Sequence, residues 1–598
     1  MKKFNLRAMA LALAAVTGLS ACGTSAEKQT ASSSSQADSD TSAVSTTLDK
    51  IDMSKWLYNS DDNVYYQTGI SYCADPADAS YETLAVFVPG DYFNAESNGD
   101  GTYTCTLSEA EINGYTAESA PIVFPVNTPG YSAQDALTEY TDVSSYTNAG
   151  FVYVHAGMRG RDQGAPAGVT DAKAAIRYIR YNSGTIAGDT DSIFVFGMSG
   201  GGAQSAIIGA SGDSDLYTPY LEAIGAVSGV SDAVAGSMDW CPITGLDTAD
   251  ESYEWMLGTT RTGLSDEEQS ISDALAEAYA QWVNEAGFTD KNGNTLTLEE
   301  SSDGIYQAGT YYEYLKSVIE ESLNNFLSDT SFPYDASSSN EAGGPGNGRQ
   351  GAPGGEKPDG NGPQGNAPEG NMPDMNNASA NDNISRTGSS SSSLSLSGTY
   401  ETAQDYIDAL NADGTWVTYD ASTNTAAITS IADFVKAMKT ASKQLGAFDQ
   451  LDGGQGENTL FGYGDGNGAH FDSLLASILK QQGSSYASAY EEDLAKTDSL
   501  GTDVETRVNM YTPLYYLLES SEGYQTSTVA KYWRIRTGIC QSDTALTTEV
   551  NLALALQNDS DVSSVDFATV WGQGHTMAER SGDSTSNFIS WVEDCTKG

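Results

Sequence analysis

The sequence predicts a doubly wound α/β fold, a mostly parallel sheet covered on both faces, carrying a large and mostly helical insertion. Three observations support this. The short apolar runs at 151–154 and 193–196 are continuous instead of alternating, as strands buried on both faces require. Helical stretches lie between and after them, with Ala175, Ile176 and Ile179 spaced for one helix face. Glycine-rich turns stand directly after strand ends, at 197–202 and 572–574.

Composition narrows the function classes. The 598 residues hold 28 Lys+Arg against 81 Asp+Glu, a net charge of −53. A protein that tracks nucleic-acid phosphates needs the opposite sign, and no basic cluster is present, so nucleic acid is excluded as a partner. Hydrophobic residues at 39 % and 34 tyrosines are enough for a packed core. Only three histidines occur, which argues against a multi-histidine metal centre and leaves few candidates for a catalytic base.

The chain opens as an export signal. Lys2, Lys3 and Arg7 precede a short apolar run, 8–19, which ends in Leu19-Ser20-Ala21-Cys22-Gly23. This resembles the bacterial lipoprotein cleavage box, with 1–22 as signal peptide and Cys22 as the lipidated first mature residue. An exported protein anchored in the cell membrane and facing outside the cytoplasm is expected. Residues 23–49 are rich in Ser, Thr and Ala and suit a flexible tether. Five cysteines remain (Cys73, Cys105, Cys241, Cys540 and Cys595), with room for one or two bridges whose pairing spacing does not reveal.

The core is expected in two parts, 50–245 and 505–598, with a lid domain at 246–504 between them. Inside the lid, 336–397 collects six of the 16 prolines among Gly, Asn and Ser, so it reads as a disordered insertion.

The informative motif is Gly197-Met198-Ser199-Gly200-Gly201, a G-x-S-x-G between a strand and a helix. Such a tight turn needs small neighbours and lifts the serine hydroxyl above the sheet edge. It also puts the Gly200 N–H at a helix N-terminus, where an oxyanion can be held. Upstream, His155-Ala156-Gly157 ends a strand taken to be the neighbour, and Gly157 is expected to supply the second N–H.

Serine needs a base. His155 sits on the upstream loop, near the strand end. His470 closes the run 466–470 and either borders the pocket or caps the following helix. His575 follows the strand at 565–571 through Gly572-Gln573-Gly574, at the edge where α/β sheets bind ligands, and is the expected base. The acid must lie between Ser199 and His575 in the chain. Asp543, on the loop after the strand at 532–536, is expected there, with a helix N-cap as its alternative role.

These stretches resemble the α/β-hydrolase superfamily, and more narrowly its bacterial tannase and feruloyl-esterase-like carboxylesterases. The resemblance rests on 70–73, 155–161, 197–211, Cys241-Pro242-Ile243-Thr244, 533–538 and 571–575. It implies a serine carboxylic-ester hydrolase with an acyl-serine intermediate, triad Ser199, Asp543 and His575, and oxyanion donors Gly157 and Gly200. No metal and no cofactor are called for. Tannases carry two aspartates, two positions apart, on the acid loop; here the first position is Gln541, so Asp543 is either the orienter or a substrate contact. Lys443 and Glu457 match in spacing the lid lysine and glutamate that bind galloyl hydroxyls, with ordinary surface charges as the alternative. Together with His470 they are the candidate substrate-binding residues. The expected partner is a small-molecule ester, with galloyl or feruloyl esters as the narrower class. Two other readings are a serine peptidase of the same superfamily and a non-catalytic, ligand-binding surface lipoprotein.

Overall fold

The computed structural model describes residues 44–336 and 396–597. Cys22, the signal and tether segments up to 43, and nearly all of the 336–397 insertion lie outside them.

Nine strands make one sheet: β1 (Leu57–Asn59), β2 (Val64–Ser71), β3 (Thr83–Pro89), β4 (Ile122–Val126), β5 (Val152–Ala156), β6 (Ile193–Met198), β7 (Gly236–Trp240), β8 (Tyr532–Gly538) and β9 (Ser564–Val570). Their spatial order is β1-β2-β3-β5-β4-β6-β7-β8-β9. The pairs from β1 to β5 are antiparallel, and from β5 to β9 every pair is parallel. Strands β4, β6 and β7 are buried nearly throughout, which explains their unbroken apolar character.

The helices that flank the site follow the strands in sequence. α1 (Ala167–Tyr181) joins β5 to β6, and α2 (Gly200–Ala210) leaves β6 through the serine turn. The insertion between β7 and β8 includes α3 (Ala249–Leu257), α4 (Asp266–Ala286), α5 (Thr310–Asp329), α6 (Ile431–Met438), α7 (Ser473–Gln482) and α8 (Ala487–Leu494). α4 starts at a capping box in which Ser265 and Glu268 satisfy each other's backbone amides, and Asp472 caps α7. α9 (Leu546–Asn558) lies between β8 and β9, and α10 (Ser584–Lys597) closes the described chain. The described residues form one compact unit, so insertion and sheet share a core.

Two expectations need correction. The strand beside the serine strand β6 is β4, not β5, because β4 is inserted between them in the sheet. And the five cysteines in the described residues are all free, with Cys73, Cys105 and Cys241 buried.

Candidate active site

Strand register brings the site together. Met198 of β6 pairs with Trp240 of β7, Trp240 pairs with Arg536 of β8, and Gly538 pairs with Val570 of β9. The four carboxyl ends therefore form one edge, and the residues just beyond them meet there.

Ser199 occupies the turn with φ 60° and ψ −122°, a left-handed conformation that costs an ordinary residue about 1–3 kcal/mol. Its N–H donates to Trp240 O at 2.9 Å, which clips the turn to the end of β7. The surrounding glycines are a steric necessity. A Cβ on Gly201 would stand 2.1 Å from Val126 O, and one on Gly197 would stand 2.5 Å from the same oxygen.

Beyond β7 stands Cys241, itself at φ 42° and fully buried. Its thiol donates to Thr576 O at 3.2 Å and lies within hydrogen-bonding reach of the His575 ring. Thus Ser199, one residue past β6, is hydrogen-bonded to the residue before Cys241, and His575 lies against Cys241 itself. Asp543 Oδ2 is 3.7 Å from His575 Nδ1. Burial by itself lowers the His575 pKa; the Cys241 side chain beside the ring, with Asp543 and Glu549, outweighs burial and raises it to about 8.

The acid loop is tightly organised. Gln541 Oε1 accepts the Asp543 N–H at 2.8 Å and the Thr544 N–H at 3.0 Å. Its Nε2 donates to Glu549 Oε1 at 3.1 Å, and that oxygen also accepts from Thr537 and Thr544. The cap position of α9 is Ala545, so Asp543 is not an N-cap.

Gly157 is not placed as an oxyanion donor. Its N–H donates to Thr83 O at 2.9 Å, within the sheet. The loop against the elbow is the one after β4: a Cβ on Gly200 would lie 2.5 Å from Tyr131 N and 3.1 Å from Gly130 N. His155 is a residue of β5 itself, and its Nε2 pairs with the Asp135 carbonyl at 2.8 Å.

From the lid, the helix Gly456–Leu460 packs onto the same loop. Arg161 donates to Gly130 O at 2.6 Å and lies against Gly456. Lys443 and Glu457 are not surface charges: their side chains are 14 % and 8 % exposed, 3.9 Å apart, and the Lys443 ammonium sits 3.7 Å from the Phe448 ring centroid. Glu457 lies close enough to the buried Tyr131 for its charge to add to the burial that raises that phenol's pKa. His470 has a different setting. It is buried inside the lid, its Nδ1 2.7 Å from Asp449 and its ring stacked 3.7 Å from Tyr490, a packing role in place of a substrate contact.

Comparisons with known proteins bear on the fold that carries this site. The family model BD-FAE matches residues 112–292, which contain β4 to β7 and the elbow. The tannin acyl hydrolase of Lactobacillus plantarum superposes with TM-score 0.61 and 25 % identity, over 89 % of this chain and 94 % of that one. The tannase of Fusobacterium nucleatum gives 0.62 and 25 %, over 89 % and 95 %. A tannin acyl hydrolase in complex with ethyl gallate gives 0.59 and 26 %, over 89 % and 94 %. The chain has the α/β-hydrolase fold and is similar to tannases. No curated protein matches it.

Four residues of this tannase-like site escape a sequence reading. Cys241 is a lone cysteine after a strand, and only the register shows that it faces the histidine. Glu549 leaves one faint trace, a carboxylate just ahead of the largely apolar run 550–556 of its helix. Lys439 directly follows an ordinary amphipathic helix. Glu579 holds Arg534 through both of its carboxylate oxygens and accepts the Trp240 indole N–H, which ties the histidine segment to β7 and β8.

Proposed function

We propose that the protein is a serine carboxylic-ester hydrolase that works through an acyl-serine intermediate on phenolic esters of the galloyl or feruloyl type. The observation that carries the reading is the strained Ser199 at the sheet edge, clipped to Trp240 at the end of β7, with His575 against the next residue, Cys241, and Asp543 facing the histidine. Folding gains nothing from that conformation, whereas a nucleophile needs the exposure it provides.

In the proposed reaction Ser199 Oγ attacks the ester carbonyl as His575 takes its proton. Asp543 orients the imidazole and stabilises its charged form. The Gly200 N–H holds the oxyanion. Gly130 is the second donor: the amides of Asn127, Tyr131 and Ser132 in the same loop are committed to Gln134, Thr128 and Pro129, and of the two that remain, Thr128 and Gly130, it is Gly130 whose nitrogen stands beside Gly200. Each such donor is worth about 2.7–4 kcal/mol to the transition state. His575 then returns the proton to the leaving alcohol, and water, activated by the same base, releases the acid.

The phenolic substrate class rests on the half-enclosed Lys443–Glu457 pair beside the loop after β4. A cation and a carboxylate set side by side suit an aromatic ring bearing hydroxyls, and the similar tannase structures hold 3,4-dihydroxybenzoate and ethyl gallate. For location, residues 1–22 support export and anchoring through an acylated Cys22.

A panel of galloyl, feruloyl, acetyl and short aliphatic esters tests the proposal on the lipid-free protein. Turnover of the phenolic members in the wild type and none in Ser199→Ala is expected. A wild type that cleaves peptides and no ester overturns it.

A further inference from the structure

One buried cation belongs to the lid yet lies against the acid loop. Lys439 directly follows α6 and is 1 % exposed. Its ammonium donates to Gln541 O. Burial lowers its pKa, and the groups opposing that effect are Glu549, Cys540, Cys241 and Asp543. Glu549 is also fully buried; Oε1 is shared by three donors, and Oε2 has no hydrogen-bond partner among the described residues.

Burial raises the Glu549 carboxyl pKa and the Lys439 ammonium opposes that rise, while both groups grip Gln541, Lys439 at its backbone oxygen and Glu549 at its side-chain amide. The loop between them is pinned on both sides. Lys439 takes Gln541 O, Tyr253 and Ser442 take Ser542 O at 3.0 and 3.1 Å, and Gln541 passes the constraint to the Asp543 N–H. The Asp543 carboxylate itself is half exposed and has no other anchor of comparable strength.

We propose that Lys439 and Glu549 are positioning residues: gripping Gln541 from two sides, at its backbone oxygen and at its side-chain amide, they clamp the 541–543 loop so that Asp543 faces His575. The clamp rests on the triad reading above. It also makes lid and triad interdependent, because residues 439–443 hold the acid loop at one end and carry Lys443 at the other. Arg261 fixes that strap through Lys443 O at 2.7 Å and Gln444 O at 2.9 Å. Hydrolysis therefore requires the strap to be seated, and the lid works as part of the catalytic apparatus.

The test compares Lys439→Met, Glu549→Gln, the double variant, Ser442→Ala, and the exposed Lys436→Met as control, using an aryl ester and a fluorophosphonate probe of Ser199. A misplaced orienting group costs about 10- to 100-fold. Lys439→Met should lose that much in kcat and in labelling rate, with KM unchanged. The charge-balanced double variant should recover most of the thermal stability but not the rate. Ser442→Ala, which folds without difficulty at an exposed site, should lose a few-fold in kcat, and Lys436→Met should lose nothing. Glu549→Gln removes one of the carboxylates whose charge helps to hold the proton on His575, so the acidic limb of kcat/KM should move to lower pH.

A double variant that turns over at the wild-type rate with an unmoved pH limb overturns the clamp. If Ser442→Ala and the double variant both keep full kcat, the clamp also fails. Ser199→Ala separates the two readings: activity in that variant rejects the serine mechanism itself, whereas an inert Ser199→Ala beside fully active clamp variants rejects only the clamp.

Discussion

Asp543 Oδ2 and His575 Nδ1 stand 3.7 Å apart, near enough to attract as charges and too far to share a hydrogen bond. His575 Nδ1 has no hydrogen-bond partner among the described residues. A small swing of the half-exposed carboxylate closes the gap, and catalytic hydrogen bonds often tighten only once substrate is bound. Asp543→Asn should keep the fold and lower kcat by about 10⁴-fold, since the wrong imidazole tautomer is then held. Steady-state kinetics beside a circular dichroism spectrum checks this.

Ser199→Ala should remove fluorophosphonate labelling and lower hydrolysis by about 10⁶-fold, leaving only the contribution of binding and oxyanion donors. Intact-mass spectrometry of the labelled protein reads the outcome directly. A label on Cys241 in place of Ser199 would displace the proposed nucleophile.

The raised His575 pKa sets a pH dependence. Only the neutral ring accepts a proton, so kcat/KM should climb through about pH 8. Cys241→Ala removes the largest contribution holding the proton on the ring, and the limb should shift to lower pH. For stability the sign is opposite. A histidine with a raised folded pKa stabilises the fold below its unfolded pKa, and that contribution fades as pH rises through about 8.

Under the lid, burial raises the carboxyl pKa values of Asp250, Glu251 and Asp472, and their mutual repulsion and that of Asp449 add to it. Acids that hold protons more tightly when folded lose stability as pH rises above the ordinary carboxylate range. Both Glu251 oxygens have no hydrogen-bond partner among the described residues. Glu251→Gln should therefore raise Tm at pH 8 more than at pH 5, as measured by calorimetry. An equal change at both values would reject the account.

Lys443→Ala and Glu457→Gln should raise KM for a galloyl ester while leaving a short aliphatic ester nearly unaffected. Losing a charged hydrogen-bonding partner is worth about 1.5–3 kcal/mol, or roughly 10- to 150-fold in kcat/KM. Equal losses on both esters would remove the pair from substrate recognition.

Much of this architecture is legible from local pattern. The β6 strand, the glycine turn and α2 follow each other within twenty residues, so propensity and sterics agree on the elbow. Sheet order is not local. Nothing in the run 122–126 announces that it slips between β5 and β6, and without that strand the loop beside the elbow reads as the one holding Gly157 instead of the one holding Gly130. Lys443 and Glu457 could be paired by resemblance, but their enclosure depends on how the Gly456–Leu460 helix packs. Lys439 and Glu549 are a hundred residues apart, and single charged side chains give no sign of which partner they meet.

The backbone twist at position 199 bears on how this protein can decay. Glycine adopts positive φ freely, so Ser199→Gly should yield a fold at least as robust as the parent, by about 1 kcal/mol if no contact is lost. A hydroxyl at that point is thus a burden on the scaffold, and a lineage that gave up turnover would gain thermal resilience by shedding it.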